Sequence, residues 1–75
     1  MDLAHVAQTF LNREPIEGVH FSHNDFVNVV SGDSAGMKGS LVTILTLDPE
    51  PRFLVELESG IDVPVWQSQL SRGDS

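Results

Sequence analysis

The sequence predicts a mainly β protein: a small antiparallel barrel of four to five strands, preceded by one amphipathic α-helix. Three observations carry that expectation. From Asp25 onward apolar residues recur with a period of two, most clearly where Phe53, Val55 and Leu57 alternate with Leu54, Glu56 and Glu58. Turn residues then divide this region into short segments, at Asp48-Pro49-Glu50-Pro51 and at Glu58-Ser59-Gly60. Finally, a chain of 75 residues with no cysteine has room for one thin core and no covalent staple. A sheet that closes on itself suits such a chain because closure hides the strand edges.

The helix comes first. Leu3, Val6, Ala7, Phe10 and Leu11 fall at i, i+3, i+4, i+7 and i+8 and form one apolar stripe over residues 1–12. Asp2 suits the start, and Asn12 ahead of Arg13-Glu14-Pro15 suits the stop. So short a helix is unstable alone and must dock, either over an open end of its own domain or against a partner. Residues 13–24, punctuated by Pro15 and Gly18, read as a linker. Strands are predicted over residues 26–30, 41–47, 53–58 and 62–66, within a barrel spanning 25–70. Pro64 lacks the N–H a central strand needs, so the last of these is an edge. Residues 71–75 offer nothing to pack and are expected to fray.

Eleven acidic residues against four Lys and Arg give a net charge of −7 and a pI near 4.5. That balance argues against general nucleic-acid binding, which needs a cationic surface to displace counterions. Protonating the three histidines would bring the charge to −4, enough to change association in acid solution. Met1-Asp2-Leu3-Ala4-His5 carries neither the basic nor the apolar stretch of a signal peptide. No apolar run approaches the roughly 20 residues of a membrane span. The expectation is a cytoplasmic protein without a membrane partner.

Residues 25–41, Asp25-Phe26-Val27-Asn28-Val29-Val30-Ser31-Gly32-Asp33-Ser34-Ala35-Gly36-Met37-Lys38-Gly39-Ser40-Leu41, resemble the KOW motif of SH3-like barrels. The resemblance lies in Val27 and Val29, the glycines Gly32, Gly36 and Gly39, and apolar Leu41, and it extends downstream to about residue 70. There Phe53-Leu54-Val55-Glu56-Leu57, Gly60 and Val63-Pro64-Val65 look like the later strands, and Trp66-Gln67-Ser68-Gln69-Leu70 like the short helical turn that closes such barrels. The resemblance implies an SH3-like barrel, and membership of a group found in ribosomal proteins and transcription elongation factors. RNA-binding KOW loops carry several basic residues around these glycines, whereas this loop has Lys38 alone beside Asp33. The implied fold therefore transfers better than the implied RNA binding.

Several patterns suggest chemistry. Gly32-Asp33-Ser34-Ala35-Gly36 spells the G-x-S-x-G of a nucleophile elbow, but a strand rather than a helix is expected after it, and all three histidines precede Ser34. His20 and His23 with Asp25 are metal-ligand types without a third ligand at a strong spacing, and exposed loop imidazoles are the expected reading. Glu56 and Glu58 share a strand face, the position of a general acid–base pair or of a solvated surface. Arg72-Gly73-Asp74 matches an integrin tripeptide, a short pattern that recurs by chance. Trp66, the only tryptophan, either anchors an interface or packs under the helix.

The expected function is a non-enzymatic, acidic protein-interaction module without metal or cofactor. It would bind a basic protein partner through Trp66, the Met37–Lys38 loop tip and the acidic edge at Glu56, Glu58 and Asp62. An RNA- or ribosome-associated KOW domain is the alternative, and a homodimer is compatible with either.

Overall fold

The apolar stripe of the first residues folds as α1, Leu3–Leu11, in a computed structural model that describes residues 2–73. Asp2 starts it by accepting a hydrogen bond from the Ala4 N–H at 3.3 Å. Asn12 ends it, its N–H donating to the Gln8 carbonyl, and Arg13 then turns the chain with a φ of 58°, its own N–H donating to the Phe10 carbonyl. Val6 and Phe10 are buried, while Leu3 and Leu11 stay exposed.

Five strands follow: β1 (Phe26–Val29), β2 (Lys38–Thr46), β3 (Arg52–Leu57), β4 (Asp62–Trp66) and, after a 3-10 turn at Gln67–Gln69, β5 (Leu70–Arg72). They form one antiparallel sheet in the order β4-β3-β2-β1-β5. The expected mainly β class and the helix-then-strands order are thus observed. Closure differs: β4 and β5 end the ladder on opposite sides, and the 3-10 turn spans the gap between them without strand pairing. Pro64 stands on the outermost strand, where a residue without an N–H loses no partner. This strand order, with a 3-10 turn before the last strand, is compatible with an SH3-like fold.

Alternation decides what the sheet buries. Val27, Val29, Leu41, Ile44, Phe53, Val55, Leu57, Val65 and Leu70 face inward and join Val6 and Phe10 in one core. Phe10 brings the helix onto this face, its ring 5.5 Å from that of Phe53, and Phe21 meets Phe53 edge-on at 6.0 Å. The helix thus covers the sheet of its own chain, lying mainly along β2. Two register shifts in β2, at Leu41/Thr43 and Ile44/Thr46, bend this nine-residue strand so that it serves both β1 and β3. Gly39 sits close against the backbone of β3; a Cβ there would run into the Glu56 carbonyl.

Residues 13–24 are tied down rather than loose. Ile16, Val19 and Phe21 pack against the core, and the Arg13 guanidinium donates to the His23 carbonyl. The His20 N–H donates to Gln67 Oε1 at 2.9 Å, and Gln67 Nε2 donates to the Gly18 carbonyl at 3.0 Å. Asp25 is the junction: it accepts from the Ser22 N–H at 2.8 Å and lies 3.4 Å from Arg13 and 3.6 Å from Arg72. Its side chain is only 14% exposed, although both arginines are open to solvent. Asp25→Ala should cost about 1–2 kcal/mol, mostly from the hydrogen bond to the half-buried turn, because exposed ion pairs contribute little. Chemical denaturation measures this, and a variant as stable as the parent would show that the junction contributes nothing.

The C-terminal expectation is corrected. Ser71 and Arg72, read as part of a frayed tail, pair with Asn28 and Val27 in β5. Backbone bonds explain this: a three-residue strand needs only the free edge of β1, which Gly73 extends by donating to the Phe26 carbonyl at 2.9 Å. Asp74 and Ser75, including the end of the Arg72-Gly73-Asp74 tripeptide, lie outside the described residues.

Candidate functional site: a mixed-charge cleft and an acidic sheet end

The β3–β4 hairpin orders the outer face of the sheet. Its register sets Arg52 opposite Trp66, Leu54 opposite Pro64 and Glu56 opposite Asp62. One end of the hairpin is therefore cationic and aromatic, and the other is acidic. Four residues of extended chain, about 13 Å, separate Trp66 from Asp62. The candidate residues divide along this line.

At the acidic end, Glu56 and Asp62 are direct cross-strand neighbours, a like-charge arrangement that opposes pairing. The Glu58 N–H donates to the Lys38 carbonyl at 3.1 Å, which brings Met37 and Lys38 beside the tip of the hairpin. Met37 and Ile61, both at this end, are 42% and 62% exposed. No ion pair neutralises Glu56, Glu58 or Asp62 among the described residues. The structure thus brings Met37, Lys38, Glu56, Glu58 and Asp62 together and places Trp66 apart.

Trp66 is half-buried in a cleft of about 240 Å³ between the β1–β2 turn and the end of β4. Ser31, Asp33 and Ser34 supply one wall; Arg52, Pro64 and Gln69 supply the other. Two local devices shape it. Gln69 Oε1 accepts from the Trp66 N–H at 3.1 Å and fixes the 3-10 turn. Gly32, with a φ of 88°, lies so close to the Gln69 side-chain amide that any Cβ would strike it.

Arg52 is the residue that sequence reasoning missed. Its guanidinium carbon lies 4.7 Å from the centre of the Trp66 ring, within cation–π range. Its Nε is buried and has no hydrogen-bond partner among the described residues. A buried donor left unpaired costs about 1–3 kcal/mol, so this group has a strong demand for an acceptor. A sequence signal for it existed. Counting equal steps outward from Ser59, the centre of the turn, pairs Arg52 with Trp66.

The chemistry-like motifs resolve locally. The Gly32–Gly36 stretch is the β1–β2 turn, its Gly36 N–H donating to the Val29 carbonyl at 2.8 Å, and it leads into a strand. No hydrogen bond joins Ser34 to a histidine among the described residues. His23 Nδ1 lies 2.8 Å from the Val42 carbonyl, and the described residues contain no group of three or more His, Asp or Glu poised to hold a metal. Among them, no helix is long and apolar enough to cross a membrane. The fold and cleft define a small antiparallel β domain with a mixed-charge groove beside its 3-10 turn. No protein-family model, curated protein or solved structure matches the chain.

Proposed function

We propose that this is a KOW-type SH3-like domain that acts as a non-enzymatic protein-interaction module and docks a basic protein partner. One observation carries the proposal: the unneutralised carboxylates of Glu56, Glu58 and Asp62 lie at the same end of the sheet as the exposed apolar side chains of Met37 and Ile61. A cationic partner with an apolar anchor would relieve the Glu56–Asp62 repulsion and cover that apolar surface. Lys38 sits within this contact area, and Trp66 forms a second contact point at the far end of β4. The strand order and the 3-10 turn support the SH3-like part of the assignment. The disposition of the cations favours protein over RNA. Arg13 and Arg72 share Asp25, Arg52 lies in the cleft against Trp66, and Lys38 stands at the far end of the sheet, so the four cations form no continuous basic stripe.

The test pairs affinity capture from nuclease-treated lysate with the doubly neutralised variant Glu56→Gln/Asp62→Asn. The parent should retain a stoichiometric basic protein, and the variant should lose it while melting at the same or a slightly higher temperature, because a repulsion has been removed. Equal capture by both forms would remove the acidic end from the interface. Ribosomal or polymerase components released by nuclease would point to the RNA-associated alternative instead.

A further inference from the structure

We propose that the cleft beside the 3-10 turn binds the carboxylate of an amino-acid-sized ligand, with Arg52 as the fork that receives it. The chain carries four Lys and Arg residues. Two of them share Asp25, and Lys38 stands at the opposite end of the sheet. Arg52 alone lines the cleft, where it makes no ion pair or hydrogen bond among the described residues, and its Nε is buried without an acceptor. The Trp66 ring lies 4.7 Å from the guanidinium carbon, and the terminal N–H groups of the fork are those a planar, two-oxygen acceptor in the cleft would meet.

Two features narrow the ligand. A volume of about 240 Å³ is on the scale of a single residue. Asp33 on the facing wall disfavours a second negative charge, so a monoanionic carboxylate is preferred to a phosphate dianion. Ser31 and Ser34 offer hydroxyls to the polar part of the ligand, while Pro64 and Trp66 offer apolar surface to its side chain. The carboxylate can belong to a free acid or to the last residue of a peptide; the chemistry is shared.

Trp66 is the only tryptophan in the chain, so its emission and its indole N–H resonance report on this cleft alone. The probes are N-acetyl-leucine, N-acetyl-leucinamide, a tripeptide ending in free leucine, the amidated tripeptide, and inorganic phosphate. The acids should give a saturable response, and the amides should bind at least about tenfold more weakly, the loss expected when a charged fork is removed. Arg52→Gln should abolish binding of the acids, and Arg52→Lys, which keeps the charge but not the fork, should weaken it about tenfold. Asp33→Asn should tighten it by about threefold, the scale of one exposed charge interaction. The core resonances of Phe10 and Phe53 show whether each variant is folded. Binding of the tripeptide as tightly as N-acetyl-leucine identifies a peptide end; its exclusion identifies a free acid. The proposal is overturned if acid and amide bind alike, if a folded Arg52→Gln variant binds as the parent does, or if phosphate binds as tightly as the acids. It is equally overturned if no probe responds up to about 50 mM, well beyond the millimolar range expected of one such fork.

Discussion

Phe10→Ala is expected to destabilise the protein by about 3–5 kcal/mol, the usual consequence of removing a fully buried aromatic ring. The reason is positional as well as volumetric. Phe10 is 1% exposed and is the side chain through which α1 meets Phe53 at the centre of the sheet. A nine-residue helix has no stability of its own, so loss of this contact releases the whole segment and uncovers the inner face. A 75-residue domain has roughly 4–11 kcal/mol of total stability, so the variant should lose at least about 12 °C of thermal midpoint or fail to fold. Calorimetry and far-UV circular dichroism read this directly. A midpoint within about 3 °C of the parent would mean that the helix does not hold the core.

Gly39→Ala should cost nearly as much, about 3 kcal/mol, for an opposite reason. The added methyl group meets the Glu56 carbonyl and the backbone of Leu57, neither of which can rotate away. Two opposing terms are at work. Alanine restricts the unfolded chain and so stabilises by about 0.4–1 kcal/mol, but separating two paired strands at a buried position outweighs that gain. Amide exchange should locate the damage, with protection lost first between Gly39–Leu41 and Val55–Leu57. Unchanged protection there, with unchanged stability, would show that β2 and β3 do not approach as closely as Gly39 implies.

Local pattern was a good guide wherever local pattern fixed the structure. The stripe from Leu3 to Leu11 and the alternation in β3 each state one periodicity, and both elements form where that periodicity runs. Pro64 was legible for the same reason, because its lack of an N–H confines it to an outer strand whatever the neighbours are. What stayed hidden depends on partners distant in sequence. Ser71 and Arg72 show no alternation, and only the free edge of β1 makes them a strand. The segment from Arg13 to Asn24 reads as a tether because its anchors, polar contacts to Asp25 and Gln67 and the apolar side chains of Ile16, Val19 and Phe21, follow no single period. The candidate site divides in the same way. The acidic character of Glu56, Glu58 and Asp62 could be read from the chain, whereas the separation of Trp66 from them follows from hairpin register. The uncommitted state of Arg52 required knowing where every carboxylate went.

The pairing of β1 with β5 bears on the order in which the molecule assembles. The hairpins β2–β3 and β3–β4 join neighbouring segments and can close early, but Val29 finds Leu70 only after all the intervening chain has been placed. Until then the outer side of β1, a row of unsatisfied N–H and C=O groups flanked by Val27 and Val29, is open to any extended chain that arrives first. Three residues, Leu70–Arg72, are therefore what stands between a monomeric fold and strand exchange with a neighbour, and conditions that fray them should favour self-association before they favour unfolding.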